Sequence, residues 1–508
     1  MNPTASSGEE REPPRRRLES ALLLFVILAA LGLRSYGLSA RPMHADEANQ
    51  AVKLGRMLEG GTYVFDPRDH HGPTLYYFGL IPAWLRGEST LAALTETTVR
   101  LTPALAGIVA VVLLWLLVRP WGLWPAFTAA LLLTVSPAAV YYSRFFIQET
   151  LLVTFTLGAL VSGQGWWRNG GARWACAAGV CLGLMLATKS SALFFATAAL
   201  LALAVGGWPG REGKALWRDA AVAAGAAVFV AALFYSSFGG NPAGLRDSVV
   251  TPGAMLARVT GGASGHEKPW WYYASLFVFQ RNGGYVWDQT LFLLPALAGG
   301  IIALRWSGLP RFVAAYTAIT AIALSATPYK TPWLVVNVIP GLCMLAALAL
   351  ARLRGLKAAL PGLIVVLGLG WQTRQAVFLR PADPRNPFAY VHTAPDMQKV
   401  PALAAAAPAG PVKIISKEYW PLPWYLRRRP ETGYWTEPPA DCDGALVFAE
   451  ADQAGAVRSR LRGDYRESLL GLRPGLMLVV FARQADQAGP PTSPALSREP
   501  PGKVNTAP

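Results

Sequence analysis

The chain has 508 residues, of which 53% are apolar and only 15% charged, and its formal net charge is +16. A soluble domain carries about 25% charged residues, so a chain this apolar has something other than water as part of its solvent. That excludes a soluble enzyme, a nucleic-acid-binding protein and a disordered scaffold. The arginine excess suits cytoplasmic loops of a membrane protein, and no nucleic-acid partner is expected.

In chain order, residues 1–17 read as a disordered basic N-terminus. Eleven apolar spans follow, at about 20–38, 99–118, 122–142, 147–165, 174–188, 190–207, 219–238, 290–306, 311–327, 332–351 and 358–377. Several approach the ~20 residues that cross a bilayer. With the N-terminus inside, the cytoplasmic side receives Arg11, Arg15, Arg16, Arg17, Arg119, Arg168, Arg173, Arg211, Lys214, Arg218, Arg305, Arg311, Arg352, Arg354 and Lys357. The short outer turns keep only Arg144, Lys189 and Lys330. Inverting the chain breaks the positive-inside rule at almost every short loop. Arg34 interrupts the first span and is expected to snorkel to the interface. Leu38-Ser39-Ala40 faintly resembles a signal-peptidase site, so retention of that span stays open.

Three long segments fall outside: 39–98, 239–289 and 380 onward. The first opens with His44-Ala45-Asp46-Glu47-Ala48 and a helical pattern ending before Gly60-Gly61. Asp46 ahead of a helix suits an N-cap. Two carboxylates and an imidazole at the membrane surface also suit a cation or the proton of an acceptor. The loop continues through Asp66-Pro67-Arg68-Asp69-His70-His71-Gly72-Pro73 into an aromatic segment fit for the interface.

The turn between the third and fourth spans reads Tyr141-Tyr142-Ser143-Arg144-Phe145-Phe146-Ile147-Gln148-Glu149. An ionisable Glu149 at the start of an apolar helix is a functional candidate, with a salt bridge to Arg144 as the plain alternative. Arg144, Lys189 and Lys330 are three outer cations without an equal number of nearby acids, a set that suits a phosphate. Ordinary interfacial anchoring is the plain alternative for each. All five histidines (His44, His70, His71, His266 and His392) fall in outer segments, without the spacing of a metal motif.

After the last span, residues 380–484 are predicted as a small extracytoplasmic α/β domain. Val412–Ser416, Ala445–Ala449 and Met477–Phe481 read as buried strands, and Asp396–Ala407 and Asp452–Leu461 as helices. Residues 485–508 read as a disordered tail. Cys176, Cys181, Cys343 and Cys442 offer no disulfide framework or metal clip. The fold class is therefore mainly α: a polytopic membrane helical bundle over 18–379, with outer loops 39–98 and 239–289, plus that small domain.

An N-in multispanning chain with an acidic pair after its first span, a Glu at the third-to-fourth turn and an outer C-terminal domain resembles the GT-C class of integral-membrane glycosyltransferases. More narrowly, it resembles the branch of protein mannosyltransferases and aminoarabinose transferases. The strings His44–Ala48, Asp66–Pro73, Gly265–Tyr273, Pro328–Trp333 and Tyr419–Tyr425 resemble a prokaryotic subgroup named after a flippase-associated protein of archaeal N-glycosylation. The resemblance implies a polyprenyl-phosphate sugar donor bound from the outer leaflet and an unspecified acceptor. It implies Asp46 as base or acceptor-orienting acid, with Glu47 and Glu149 as further catalytic acids. Arg144, Lys189, His266 and Lys330 would surround the donor phosphate, with His44, His70 and His71 supporting the loop. A divalent ion, Mg or Mn, held by Asp46 and Glu149 is a further expectation.

Such a transfer expels an anionic phosphate, which cations stabilise, while a carboxylate on the opposite face activates the acceptor hydroxyl, giving inversion. A transporter or accessory protein for lipid-linked sugars is the competing class. Transporters place ionisable groups near the midplane, often in inverted repeats. Here the ionisable groups sit at the outer ends, and no such repeat is visible. The transferase is the expectation, in the plasma membrane with its C-terminal domain outside.

Overall fold

The computed structural model describes residues 14–67, 71–206, 214–260, 265–353 and 355–484. Of the two tails read as disordered, 1–13 and 485–508 lie outside the described residues, whereas Pro14 already begins the first helix. The chain divides into two compact units: Met1–Gln398 together with Trp420–Arg428, and Lys399–Tyr419 together with Arg429–Pro508. The division falls at Lys399, so 28 residues of the segment expected as the C-terminal domain, 380–398 and Trp420–Arg428, belong to the first unit.

The first unit is helical. Its elements are α1 (Pro14–Ser35), α2 (Ala45–Leu58), α3 (Thr74–Leu85), α4 (Glu96–Val118), α5 (Leu123–Val135), α6 (Pro137–Tyr142), α7 (Glu149–Asn169) and α8 (Ala172–Leu186). Then come α9 (Ala192–Gly206), α10 (Lys214–Tyr235), α11 (Ala243–Thr260), α12 (Tyr272–Ser275), α13 (Thr290–Leu304), α14 (Leu309–Ala326), α15 (Ile339–Leu350) and α16 (Leu356–Thr373). A helix lies on each of the eleven predicted spans. Among the described residues, five are long and apolar enough to cross a membrane: Arg16–Ser35, Glu96–Trp121, Ala215–Tyr235, Leu309–Ala326 and Ala359–Leu379. Others are shorter. Pro137 divides the third span into α5 and α6, since it cannot donate to the turn before it.

Helices approach closely where side chains are small. A methyl group on Gly299 of α13 would meet the Leu345 carbonyl of α15 at 1.8 Å, so only glycine permits that contact. Many outward side chains are exposed leucines, such as Leu24, Leu28, Leu200, Leu294 and Leu367, a lipid-facing pattern. Arg34 departs from expectation. It is 1% exposed, and its guanidinium donates to the carbonyls of Leu133 and Thr134, both at 3.1 Å. It ties α1 to the end of α5 instead of snorkelling, because α5 ends there with carbonyls unsatisfied within the helix.

The second unit is a five-stranded mixed sheet. A short antiparallel ribbon in the first unit supplies β1 (Gln280–Asn282) and β2 (Tyr285–Trp287). The sheet contains β3 (Val412–Ile415), β4 (Thr432–Trp435), β5 (Leu446–Glu450), β6 (Tyr465–Arg473) and β7 (Leu476–Arg483), in the order β4-β3-β5-β7-β6. β3 runs parallel to β4 and β5 and is buried along its length, including Lys413, whose ammonium pairs with Asp441 at 2.9 Å. β4 and β6 were not predicted, because their partly exposed faces mix polar and apolar residues. The helix expected at Asp396–Ala407 forms as a 3-10 turn, Pro395–Lys399, running into an α-helix, Val400–Ala406, whereas the second is shorter than predicted, at Ala454–Arg458.

Candidate active site

The loop that follows α1 is organised around one carboxylate. Glu47 is fully buried and accepts hydrogen bonds from Arg100 Nε and Nη2 (both 2.8 Å), Arg41 Nη2 (3.0 Å) and the backbone N–H groups of His44 (3.1 Å) and Phe146 (2.9 Å). Burial would raise its pKa, but Arg100 and Arg41 override that and hold it down to about 2. A carboxylate so saturated has no role as a base. It joins α2, α4 and the turn after α6.

The cap of α2 is His44, not Asp46. The His44 imidazole accepts the Asp46 N–H at Nδ1 (3.1 Å), and Glu47 completes the capping box by accepting the His44 N–H. Because Nδ1 accepts, Nε2 carries the proton and donates to the Tyr390 carbonyl at 3.2 Å. Capping therefore leaves the Asp46 side chain unused, and it stands 48% exposed, 3.8 Å from His44 Nδ1.

A second cluster forms where 266–268 pairs with 328–330. Glu267 and Tyr329 form a β-bridge, Lys330 N donates to the His266 carbonyl (3.0 Å), and Lys268 N donates to the Pro328 carbonyl (3.1 Å). His266 Nδ1 lies 2.7 Å from the Tyr390 hydroxyl, and Lys268 Nζ sits over the Tyr390 ring at 5.2 Å. Lys330 is 1% exposed, and its ammonium donates to the carbonyls of Lys268 (3.1 Å) and Thr327. Two of its three donors are thus engaged, and no carboxylate among the described residues pairs with it. Desolvation lowers its pKa. Tyr390 links the two clusters: its carbonyl holds His44 and its hydroxyl meets His266.

The other expected residues have structural partners. Glu149 is paired with Lys189, both buried, and not with Arg144. The reading of Lys189 as an uncompensated cation gives way for that reason. Arg144 donates to the carbonyls of Leu33 (3.2 Å), Arg34 (3.3 Å), Tyr36 (2.6 Å) and Gly37 (3.0 Å), closing the C-terminus of α1. The backbone of His71 pairs with that of Lys189, and Gly72 N donates to the Thr188 carbonyl at 3.0 Å. A methyl on Gly72 would meet the Ala187 carbonyl at 2.1 Å, so glycine is needed for the docking. His70 lies outside the described residues.

Among the described residues, no group of three or more His, Cys, Asp or Glu side chains is placed to hold a metal ion. The expected Asp46–Glu149 metal pair does not fit, since Glu149 is engaged with an ammonium group.

Sequence reasoning missed four participants. Arg100 was visible as an ionisable residue at the mouth of a span. Arg41 and Tyr390 carried no motif. His392, 2% exposed, lies against the rings of His44 (5.5 Å), Phe145 (6.0 Å) and Tyr141 (6.5 Å), and burial with nearby Arg41 holds its pKa well below 6.5. The segment Trp420–Arg428 clamps the loop from the other end. Tyr425 accepts the Met43 N–H at 2.8 Å, Trp424 Nε1 donates to Glu96 (2.7 Å), and Arg427 donates to the Leu94 carbonyl.

Comparison with known proteins adds the fold. ArnT from Cupriavidus metallidurans, solved bound to undecaprenyl phosphate, is similar over 94% of this chain and 99% of that one, with a TM-score of 0.67 at 16% identity. The oligosaccharyltransferase AglB from Archaeoglobus fulgidus, solved with an inhibitory peptide and a dolichol-phosphate, is similar over 94% of this chain and 75% of that one, with a TM-score of 0.56 at 13% identity. The chain has the GT-C fold. A family described as dolichyl-phosphate-mannose-protein mannosyltransferase matches residues 79–236. No curated protein matches in sequence. In this GT-C fold, Asp46 and the His266–Lys330 cluster both belong to the first compact unit, and Tyr390 joins that cluster to His44, the cap residue two positions before Asp46.

Proposed function

We propose that the protein is an inverting membrane glycosyltransferase that moves a sugar from a polyprenyl-phosphate donor to an extracytoplasmic acceptor. The observation that carries this reading is the division of labour around Tyr390. On one side is a solvent-reachable carboxylate, Asp46; on the other is a buried ammonium, Lys330, with no acidic partner among the described residues.

Lys330, with His266 and Lys268 beside it, would hold the lipid phosphate and stabilise the negative charge that grows on it as the glycosidic bond breaks. Asp46 would accept the proton of the attacking hydroxyl on the opposite face, which inverts the anomeric centre. His44, held in one tautomer, fixes the backbone of Asp46. Glu47 and Glu149 act by holding the loops in place. The N-terminus lies in the cytoplasm and the sheet unit outside, as the distribution of Lys and Arg supports.

Two further observations support the donor class. The similar ArnT binds undecaprenyl phosphate and the similar AglB binds dolichol-phosphate. The test is a purified-protein assay with labelled polyprenyl-phosphate sugars and membrane extract as acceptor. Transfer of label, with release of polyprenyl phosphate, is expected. Movement of intact labelled lipid across vesicles without transfer would replace this reading with the transporter.

A further inference from the structure

A separate cavity of about 110 Å³ lies at the end of α1, walled by Arg41, Arg100, Arg144, Tyr141, Tyr36 and Phe378. None of its lining residues belongs to the His266–Lys330 cluster, and none is acidic. The nearest charge balance is unequal: among the described residues, Glu47 is the one carboxylate hydrogen-bonded to this trio, shared between Arg41 and Arg100. Among the described residues, the charge of Arg144 is met by the carbonyls of the α1 terminus and the ring of Phe378, 5.0 Å away. Arg41 is 7% exposed, and its Nε is buried without a hydrogen-bond partner. An unpaired buried donor on a guanidinium is costly unless something meets it.

We propose that this cavity is a binding site for a phosphate-type oxyanion, held by Arg41 and Arg144. The planar guanidinium fork matches phosphate oxygens. The volume admits several waters or one such group. Tyr36, 75% exposed, and the exposed Gly37 and Ala40 form its rim, at the outer end of the first apolar helix where lipid headgroups lie. Burial, with Arg41, Arg100 and Arg34 nearby, holds the Arg144 pKa down to about 9, which agrees with a positive potential lacking its anion. The headgroup of an anionic phospholipid and free phosphate share this chemistry. Since Arg41 also bonds Glu47, occupancy would brace the loop that carries Asp46. The site itself does not depend on the transferase reading.

The test uses the full chain, delipidated in detergent, and follows thermal unfolding with added phosphatidylglycerol, phosphatidylcholine or inorganic phosphate. Phosphatidylglycerol is expected to raise the unfolding temperature by roughly 2–4 °C, and phosphatidylcholine to leave it unchanged. An equal rise with inorganic phosphate supports the site with the free ion as ligand. Ala40→Glu supplies a tethered carboxylate at the rim and should abolish the shift while the protein stays folded. Arg41→Gln should abolish it too, but it also loosens Glu47, so Ala40→Glu decides. Lys330→Ala should keep the full shift. Equal shifts with both lipids, or a full shift in Ala40→Glu, would overturn the proposal. Loss of the shift in Lys330→Ala alone would overturn it by moving the lipid to the other cluster.

Discussion

Glu47 and Lys330 are both almost wholly buried charges, yet their surroundings differ in kind. Glu47 accepts from two arginines and two backbone N–H groups. Lys330 has carbonyls for neighbours, and no carboxylate among the described residues pairs with it. A buried charge surrounded by matching charge is a brace, because its electrostatic demand is met by the protein itself. A buried charge met only by dipoles keeps an unmet preference for an opposite charge, which a ligand can satisfy. The difference separates residues that hold the site from residues that use it.

Removing the brace should have the largest effect. Glu47→Ala leaves two buried guanidiniums without their carboxylate and should cost about 3–5 kcal/mol, read as loss of folded, monodisperse protein. Its pH dependence has a fixed sign. A carboxyl held down to about 2 when folded contributes stability above its unfolded pKa and loses it as pH falls from about 4.5 toward 2. Acid unfolding of the wild type should therefore be steepest there, and Glu47→Gln, if it folds, should lack that component.

Asp46→Asn should leave folding intact, since the cap is His44 and the Asp46 side chain is half exposed. Transfer should nevertheless fall by about 10²-fold or more, the range for loss of a general base. Turnover near wild type would remove Asp46 from the chemistry and break the comparison at its active end.

Lys330→Ala should weaken donor binding by about 1.5–3 kcal/mol, the worth of a hydrogen bond to a charged group. Lys189→Ala should instead act on stability, because it strands Glu149. Equal losses of donor affinity in both variants would show that the presence or absence of an internal partner does not separate the two roles.

The smallest expected effect is that of Tyr390→Phe. It removes the hydroxyl that meets His266 but leaves the carbonyl that holds His44. About 0.5–1.5 kcal/mol, seen in donor affinity, is expected, with the fold unchanged by circular dichroism.

The sequence by itself determined the membrane class, the position of each apolar helix and the buried strands β3, β5 and β7. These depend on local composition and periodicity, which the solvent reads residue by residue. It also brought forward Asp46 and Lys330, since charged residues beside apolar spans are conspicuous without any structure, whereas His266 came forward only through the family resemblance of Gly265–Tyr273. What it left undecided was pairing. That Lys189 meets Glu149, that Arg34 and Arg144 serve helix ends, and that Glu47 is held by Arg100 from 53 positions away follow from which helix termini come together. That the nine residues Trp420–Arg428 rejoin the helical unit is of the same kind. Only the tertiary structure could decide these points, because a charge becomes a brace or a binding group according to what stands within about 3 Å of it, and sequence spacing sets that distance only inside a single helix or turn.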